Sequence, residues 1–99
     1  MNKRTLKPIH PGEVLLEDFM IPLKISQYAL AKAISVPPRR INEIVHGKRA
    51  LSADTALRLA RYFDVHPQSW LNLQSHYDLE MAQLKLGSRL SQEVQPRAA

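Results

Sequence analysis

The chain has 99 residues, of which 14 are Lys or Arg, 9 are Asp or Glu and none is Cys. This length predicts a single domain with one modest core. The lack of cysteine excludes a disulfide scaffold, a thiol nucleophile and any zinc site with cysteine ligands. The sequence shows neither a secretory signal nor an apolar run approaching the roughly 18 residues of a membrane span, so we expect a cytoplasmic protein.

The net charge of +5 is concentrated in one half of the chain. Residues 1–52 hold nine basic and four acidic side chains, whereas residues 53–99 hold five of each. A local basic excess indicates a polyanionic partner, such as nucleic acid or an anionic membrane surface. A solvated surface that uses Lys and Arg for solubility is the alternative that charge alone leaves open.

The first two predicted helices are short, and each has one apolar stripe. Pro11 is a suitable first residue for a helix that we expect to end one or two residues before Pro22, because proline interrupts helical hydrogen bonding. Ser26 is a good N-cap for a second helix over residues 27–33. The apolar stripes of these two helices comprise Leu15, Leu16, Phe19, Met20, Leu30, Ala31 and Ile34.

Three further helices complete the prediction of an all-α fold with five helices. The third covers residues 38–46, with proline at its start and Gly47 after its end. Ser52 is the N-cap of the fourth, and the fifth and longest covers residues 67–86, with Gly87 after it. The expected buried face of the fourth helix comprises Ala56, Leu59, Ala60 and Phe63. The apolar set of the fifth is Trp70, Leu73, Tyr77, Met81 and Leu84.

The second and third helices, joined by a short turn, predict a helix-turn-helix over about residues 26–46. Ala31 supplies the small residue where the two helices cross, and apolar anchors come from Leu30, Ile41, Ile44 and Val45. We therefore divide the chain into an N-terminal segment (1–10), a helix-turn-helix domain (11–87) and a polar C-terminal tail (88–99).

The polar face of the third helix has the chemistry that base edges require. At about 100° per residue, Arg39, Asn42, Glu43 and His46 share the face opposite the apolar anchors, and Arg40 flanks it. Arginine pairs with guanine, asparagine with adenine, and glutamate accepts from cytosine. An ordinary polar helix face is the alternative, but the helix-turn-helix spacing and the local charge favour DNA. The predicted base-reading residues are Arg39, Arg40, Asn42 and Glu43.

We also predict phosphate-binding residues that flank the base-reading residues, and a homodimer. Gln27 lies at the start of the second helix, where backbone N–H groups can meet a phosphate, and Lys48 and Arg49 follow the third helix. His46 completes the predicted phosphate-binding set. Because one domain reads a single half-site, we expect a homodimer with half-sites about 34 Å apart. Its predicted interface lies on the fifth helix, at Met81, Leu84 and Leu86.

Several motifs in this sequence resemble those of known DNA-binding proteins. The pattern Q-x-x-L-A at residues 27–31, with Ile41 and Gly47-Lys48, resembles the lambda-repressor-like, or XRE-family, helix-turn-helix. Three blocks resemble the HigA-type (VapI-like) antitoxins more specifically: HPGE at 10–13, PPRRINEI at 37–44 and WLNLQ at 70–74. The resemblance covers about residues 8–80.

The resemblance implies a dimeric repressor that autoregulates a HigBA-type toxin–antitoxin operon and neutralises a RelE-like, mRNA-cleaving HigB toxin. It assigns base reading to Arg39, Arg40, Asn42 and Glu43, and phosphate binding to Gln27. It also implies a bacterial protein that is associated with the nucleoid. Two positions depart from the broad family, because Ser35 stands where glycine is frequent and Pro38 removes one candidate reader.

Other classes of function fit the sequence less well. The four histidines lie in separate segments without the i, i+4 spacing of a helical zinc site, and no glycine-rich phosphate loop is present. We therefore expect no enzymatic activity, cofactor, metal site or small-molecule substrate. The basic residues do not form one face of an amphipathic helix, so membrane binding is not expected. A stand-alone regulator without a toxin and a protein-docking module remain as alternatives.

Overall fold

The computed structural model describes residues 7–98, and these residues form six helices and no strand. The all-α fold class is therefore confirmed. The predicted N-terminal segment and C-terminal tail lie partly outside the described residues. The first helix, α1, consists of three consecutive stretches, Pro11–Val14, Leu15–Met20 and Ile21–Leu23. The others are α2 (Gln27–Ala33), α3 (Pro38–Val45), α4 (Ala53–Phe63), α5 (Pro67–Leu86) and α6 (Arg89–Glu93).

Helix α1 continues through Pro22, so the prediction that this helix ends before the proline is wrong. Its middle stretch is a π-helix, in which the Ile21 N–H bonds to the Leu16 carbonyl five residues earlier. Because this register differs from the α-helical one, it relieves the clash that Pro22 would make with the carbonyl four residues before it. The helix ends at Leu23, where Lys24 adopts a left-handed conformation.

The core lies where α1 to α4 and the first half of α5 meet. Most predicted apolar faces are confirmed, although several residues at their margins are only half-buried, and Met81 and Leu84 at the far end of the fifth helix are exposed. Two further buried residues, Val36 and Leu51, come from the connections on either side of α3. The buried apolar residues are Leu15, Met20, Leu30, Ala31, Ile34, Val36, Ile41, Ile44, Leu51, Ala56, Leu59, Ala60 and Trp70.

A glycine allows α1 to approach α3 at backbone distance. A Cβ atom added to Gly12 would overlap the carbonyl oxygen of Ile44. Gly12 is buried two residues after His10, the N-cap of α1, whose Nδ1 accepts a hydrogen bond from the Gly12 N–H at 2.9 Å. The start of α1 therefore sets how closely α3 packs against it.

The loop after α3 is attached to α5 by a buried glutamine that the sequence pattern did not indicate. Gln74 Oε1 accepts a hydrogen bond from the Leu51 N–H at 2.7 Å. Its amide nitrogen donates to Asp78 Oδ1 at 2.8 Å, so both ends of the side chain have partners. This contact fixes the chain just before Ser52, the confirmed N-cap of α4.

The far end of α5 extends beyond the core. Gly87 ends the helix with φ 52°, as predicted, but the tail then forms the short helix α6 instead of remaining irregular. No residue from 75 to 98 is buried. Among the described residues, no helix has the length and apolar character needed to cross a bilayer.

Candidate nucleic-acid interface

The turn between α2 and α3 has the tight geometry of a helix-turn-helix. Ser26 Oγ accepts from the Ala29 N–H at 3.0 Å and caps α2, as predicted. The turn passes through Ser35, which has a positive φ of 59°, and the Val36 N–H bonds back to the Ala31 carbonyl at 3.0 Å. Pro37 is extended and Pro38 is the first residue of α3, because a residue before proline disfavours the helical region.

One side of α3 carries an ion-pair cluster, which we call the Glu43 cluster and which consists of Arg39, Glu43 and Arg49. Arg39 Nε lies 2.9 Å from Glu43 Oε2, and Arg49 Nη1 lies 3.2 Å from Glu43 Oε1. The Arg39 side chain is 85% exposed. The hydrogen bond from Arg39, and secondarily Arg49, lowers the pKa of Glu43 below its usual value. The carboxylate thus orients two guanidinium groups on this side of α3.

A direct hydrogen bond connects a predicted phosphate-binding residue with a predicted base reader. Asn42 Nδ2 donates to Gln27 Oε1 at 3.0 Å, so the start of α2 is joined to the exposed face of α3. His46 Nδ1 donates to the Asn42 carbonyl at 2.7 Å at the end of the same helix. Lys48 is exposed in the following loop. The structure thus brings most of the predicted interface residues to one side of the molecule.

Arg40 differs from the other predicted readers, because it extends towards α4. Its Nη1 lies 2.7 Å from Asp54 Oδ2, and only 24% of its side chain is exposed. Arg58 Nε also lies 3.0 Å from Asp54 Oδ2. We call Arg40, Asp54 and Arg58 the Asp54 cluster. The two arginine hydrogen bonds, that from Arg40 first, lower the pKa of Asp54.

Sequence reasoning did not include Asp54 or Arg58 among the site residues. Their i, i+4 spacing on the predicted fourth helix was the available signal, because such a pair lies on one helix face. The partnership with Arg40 depends on how α3 packs against α4 and has no local signal. Among residues 7–98, no group of three or more His, Asp or Glu side chains is placed to hold a metal ion.

Comparison with known families gives this surface a context. A family model described as helix-turn-helix matches residues 16–70, which is more than half of the chain. The chain belongs to this helix-turn-helix family. Membership confirms the predicted fold and agrees with the expectation of a protein that is not an enzyme.

Individual relatives are more specific. The chain is 56% identical over 81 residues to virulence-associated protein I of Dichelobacter nodosus, covering 82% of this chain and 75% of that protein. It is 44% identical to the Pseudomonas aeruginosa antitoxin HigA solved with the higBA promoter, with TM-score 0.90 and coverage of 93% and 100% of the two chains. A HigA-family antidote protein from Coxiella burnetii is 46% identical, with TM-score 0.87 and coverage of 92% and 99%. The resemblance to HigA-type antitoxins is thereby confirmed.

Proposed function

We propose that this protein is a sequence-specific DNA-binding repressor and the antitoxin of a HigBA-type toxin–antitoxin module. The observation that carries the proposal is the exposed face of α3, where Glu43 orients Arg39 and where Asn42 is joined to Gln27 at the start of α2. Antitoxin HigA, solved with its promoter, has the same fold at 44% identity. Occupancy of an operator that overlaps the promoter would block polymerase and regulate the operon from the bacterial nucleoid.

The contacts divide into base reading and phosphate binding. Arg39 is the leading reader, because it is exposed, lies in the first turn of the recognition helix and is preoriented. Asn42 follows it one turn later. Arg40 and Glu43 complete the proposed set, although in the free protein both make ion pairs that DNA contacts would have to share or replace. The proposed phosphate-binding residues are Gln27, His46, Lys48 and Arg49.

Operator binding is tested by fluorescence anisotropy with a duplex from the region upstream of the protein's own reading frame and a scrambled duplex, at two salt concentrations. We expect the upstream duplex to bind tighter by about 10³-fold or more, with strong salt dependence. Lys48→Ala should weaken both duplexes alike and reduce the salt slope by about one unit. Lys85→Ala, which removes the same charge at the far end of α5, is the matched control and should change neither. Equal, weak binding of both duplexes would contradict the proposal.

A homodimer is part of the proposal, with Met81, Leu84 and Leu86 on α5 in its interface. Met81 is 43% exposed and Leu84 is 68% exposed, whereas Leu86 is half-buried. Exposed apolar side chains on a helix that extends beyond the core are available for a second copy. Sedimentation at tens of micromolar protein tests this proposal. We expect the wild-type protein to sediment as a dimer and Leu84→Ser to weaken it, whereas a monomer for both proteins would contradict the proposal.

The antitoxin role adds a second partner, a RelE-like HigB toxin. It is supported by the similarity to HigA-family proteins over nearly the whole chain. Co-expression with the product of the adjacent small gene should yield a stable complex and relieve the toxin's growth inhibition. A protein that represses its operon without forming such a complex would instead be a stand-alone regulator. One that binds the partner but no DNA would be a docking module.

A further inference from the structure

One acidic residue outside the recognition helix connects the parts of the helix-turn-helix. Asp54, in the first turn of α4, receives two guanidinium groups on the same oxygen, Oδ2, from Arg40 at 2.7 Å and Arg58 at 3.0 Å. Arg40 belongs to α3, whereas Arg58 lies one turn further along α4. The function proposed above assigns no role to Asp54.

Arg58 extends this connection to the turn between α2 and α3. Its Nη1 donates to the Ile34 carbonyl at 2.9 Å and lies 3.4 Å from the Ser35 carbonyl. Ile34 is the C-cap of α2, where carbonyl groups have no helical partner and a cation is favourable. Ser35 has a positive φ, which is unusual for a residue with a side chain. The turn that sets the angle between α2 and α3 is therefore held from α4.

Arg40 joins the Asp54 cluster to the first turn of α3, the part of this helix that matters most for base reading. It directly follows Arg39 in the first helical turn, and recognition helices contact bases mainly through their N-terminal residues. Its guanidinium is mostly covered and bonded to Asp54. Arg40 thus fixes the start of α3 against α4, while Arg39 remains free of that contact and exposed on the reading face.

We propose that Asp54 is a positioning residue for DNA recognition. It holds Arg40 at the edge of the reading face and, through Arg58, fixes the α2–α3 turn, so that Arg39 and Asn42 meet the base edges in register. This inference rests on the proposed operator binding and names a residue that would control its specificity without touching a base.

Electrostatics and positioning predict opposite effects for removal of this carboxylate. Asp54 is an acid beside a surface proposed to bind a polyanion, so neutralising it should by charge alone strengthen binding to any DNA. If Asp54 positions the readers, its loss should weaken binding to the preferred sequence and spare binding to other sequences. The ratio of the two affinities therefore separates the two roles.

The experiment uses Asp54→Asn in the full chain and a duplex that the wild-type protein selects from a random pool, with a scrambled duplex for comparison. We expect the affinity ratio of selected to scrambled duplex to fall about tenfold, within the range of couplings seen in ion-pair networks. Affinity for the scrambled duplex should stay constant or rise. Asp64→Asn is the matched control, because it removes the same charge after the other end of α4, and it should leave the ratio unchanged.

Thermal unfolding of both variants establishes that the fold is retained. If Asp54→Asn does not fold, the same affinity ratio is measured for Arg58→Lys and should fall. Lysine keeps the charge but lacks the planar fork that holds both Asp54 and the turn carbonyls. If the wild-type protein is selective and the folded variant has the same ratio of affinities for selected and scrambled duplex, only the positioning role is overturned. A wild-type protein that selects no sequence would overturn the proposed function, and this inference with it.

Discussion

Residues 11–74 and residues 75–98 use apolar side chains differently. Within residues 7–98 the first region supplies every buried apolar residue, and its α1 to α4 bury at least one side chain each. In the second region Leu79, Leu84, Leu90 and Val94 are all exposed by about half or more. Charged clusters lie on α3 and α4 in the first region, whereas the second has only pairs within a single helix.

The difference shows what each region is built to do. A packed core holds α2, α3 and α4 in fixed positions, which is what a surface that reads DNA by geometry requires. Most apolar side chains at the end of α5 and on α6 are left exposed by the chain's own fold. The exposure of Met81 and Leu84 agrees with the dimer contact proposed above, which would separate DNA recognition in the first region from assembly on α5.

The largest expected effect comes from Gly12→Ala, which tests whether the first region depends on close packing. The new Cβ would overlap the Ile44 carbonyl, and backbone atoms cannot give way as a side chain could. We expect the free energy of unfolding to fall by about 3–5 kcal/mol, as for other severe core changes. Chemical denaturation monitored by circular dichroism measures it.

Gly87→Ala is the comparison in the second region. Its Cβ would meet nothing closer than 3.9 Å, so only the positive φ opposes the change. With ψ −134°, Gly87 lies outside the left-handed helical region in a conformation that residues with a Cβ rarely adopt, so the cost should be about 1–3 kcal/mol, and the cooperative unfolding of the first region should persist. Equal losses from the two substitutions would contradict the division into a packed and an exposed region.

Arg39→Ala should have the next largest effect, on DNA binding instead of stability. Loss of a base-reading arginine is expected to cost about 1–3 kcal/mol on the preferred duplex and to relax one base position. Binding competition against duplexes substituted at single positions measures both. Arg89→Ala is the matched control, because Arg89 makes the same i, i+4 pair with Glu93 at 3.2 Å in the second region. Equal losses on preferred and random duplexes would contradict base reading by Arg39.

Most of the first region could be predicted from the sequence because its signals are local. Ser26, Pro38 and Ser52 each mark a helix start through capping chemistry or a fixed φ, and the structure places each as predicted. Pro22 misled the prediction, because a π-helical register that the sequence does not announce accommodates it. Local signals thus locate helices well but not departures from regular hydrogen bonding.

The contacts that organise the candidate site could be predicted only in part. The Arg39–Glu43 pair follows from i, i+4 spacing, and the helical wheel already placed Arg40 at the edge of the face. The hydrogen bonds from Arg40 to Asp54 and from the Leu51 N–H to Gln74 join residues 14 and 23 positions apart. Such pairs depend on how helices pack together, and no periodicity within one helix contains that information.

The pH dependence of the free energy of unfolding probes His10, which connects the two regions. His10 caps α1, and its ring lies 4.8 Å from that of Tyr77 on α5, centroid to centroid. Burial lowers its pKa below 6.5, against the opposing effects of Asp78, a backbone hydrogen bond with Arg49, and Glu13. As pH falls below 6.5, the unfolded chain therefore takes up a proton before the folded one does. The free energy of unfolding should decrease until the folded-state pKa is passed.

The measurement is the unfolding midpoint between pH 7.5 and 5.5 for wild type and His10→Asn, since asparagine caps a helix without titrating. The slope should be smaller in the variant. His66→Asn is the control, because His66 caps α5 through Nδ1 in the same way but is exposed. A slope that His10→Asn leaves unchanged would exclude His10 as its source.

The smallest expected effect is a gain in stability from Ser35→Gly in the helix-turn-helix turn. Ser35 holds φ 59°, a conformation that costs a residue with a Cβ roughly 1–2 kcal/mol and costs glycine almost nothing. Glycine also makes the unfolded chain more flexible, which offsets part of this gain, so we expect a net increase of about 0.5–1 kcal/mol. Denaturation midpoints measure the change. A loss of stability would mean that contacts of the serine side chain outweigh the backbone strain at this position.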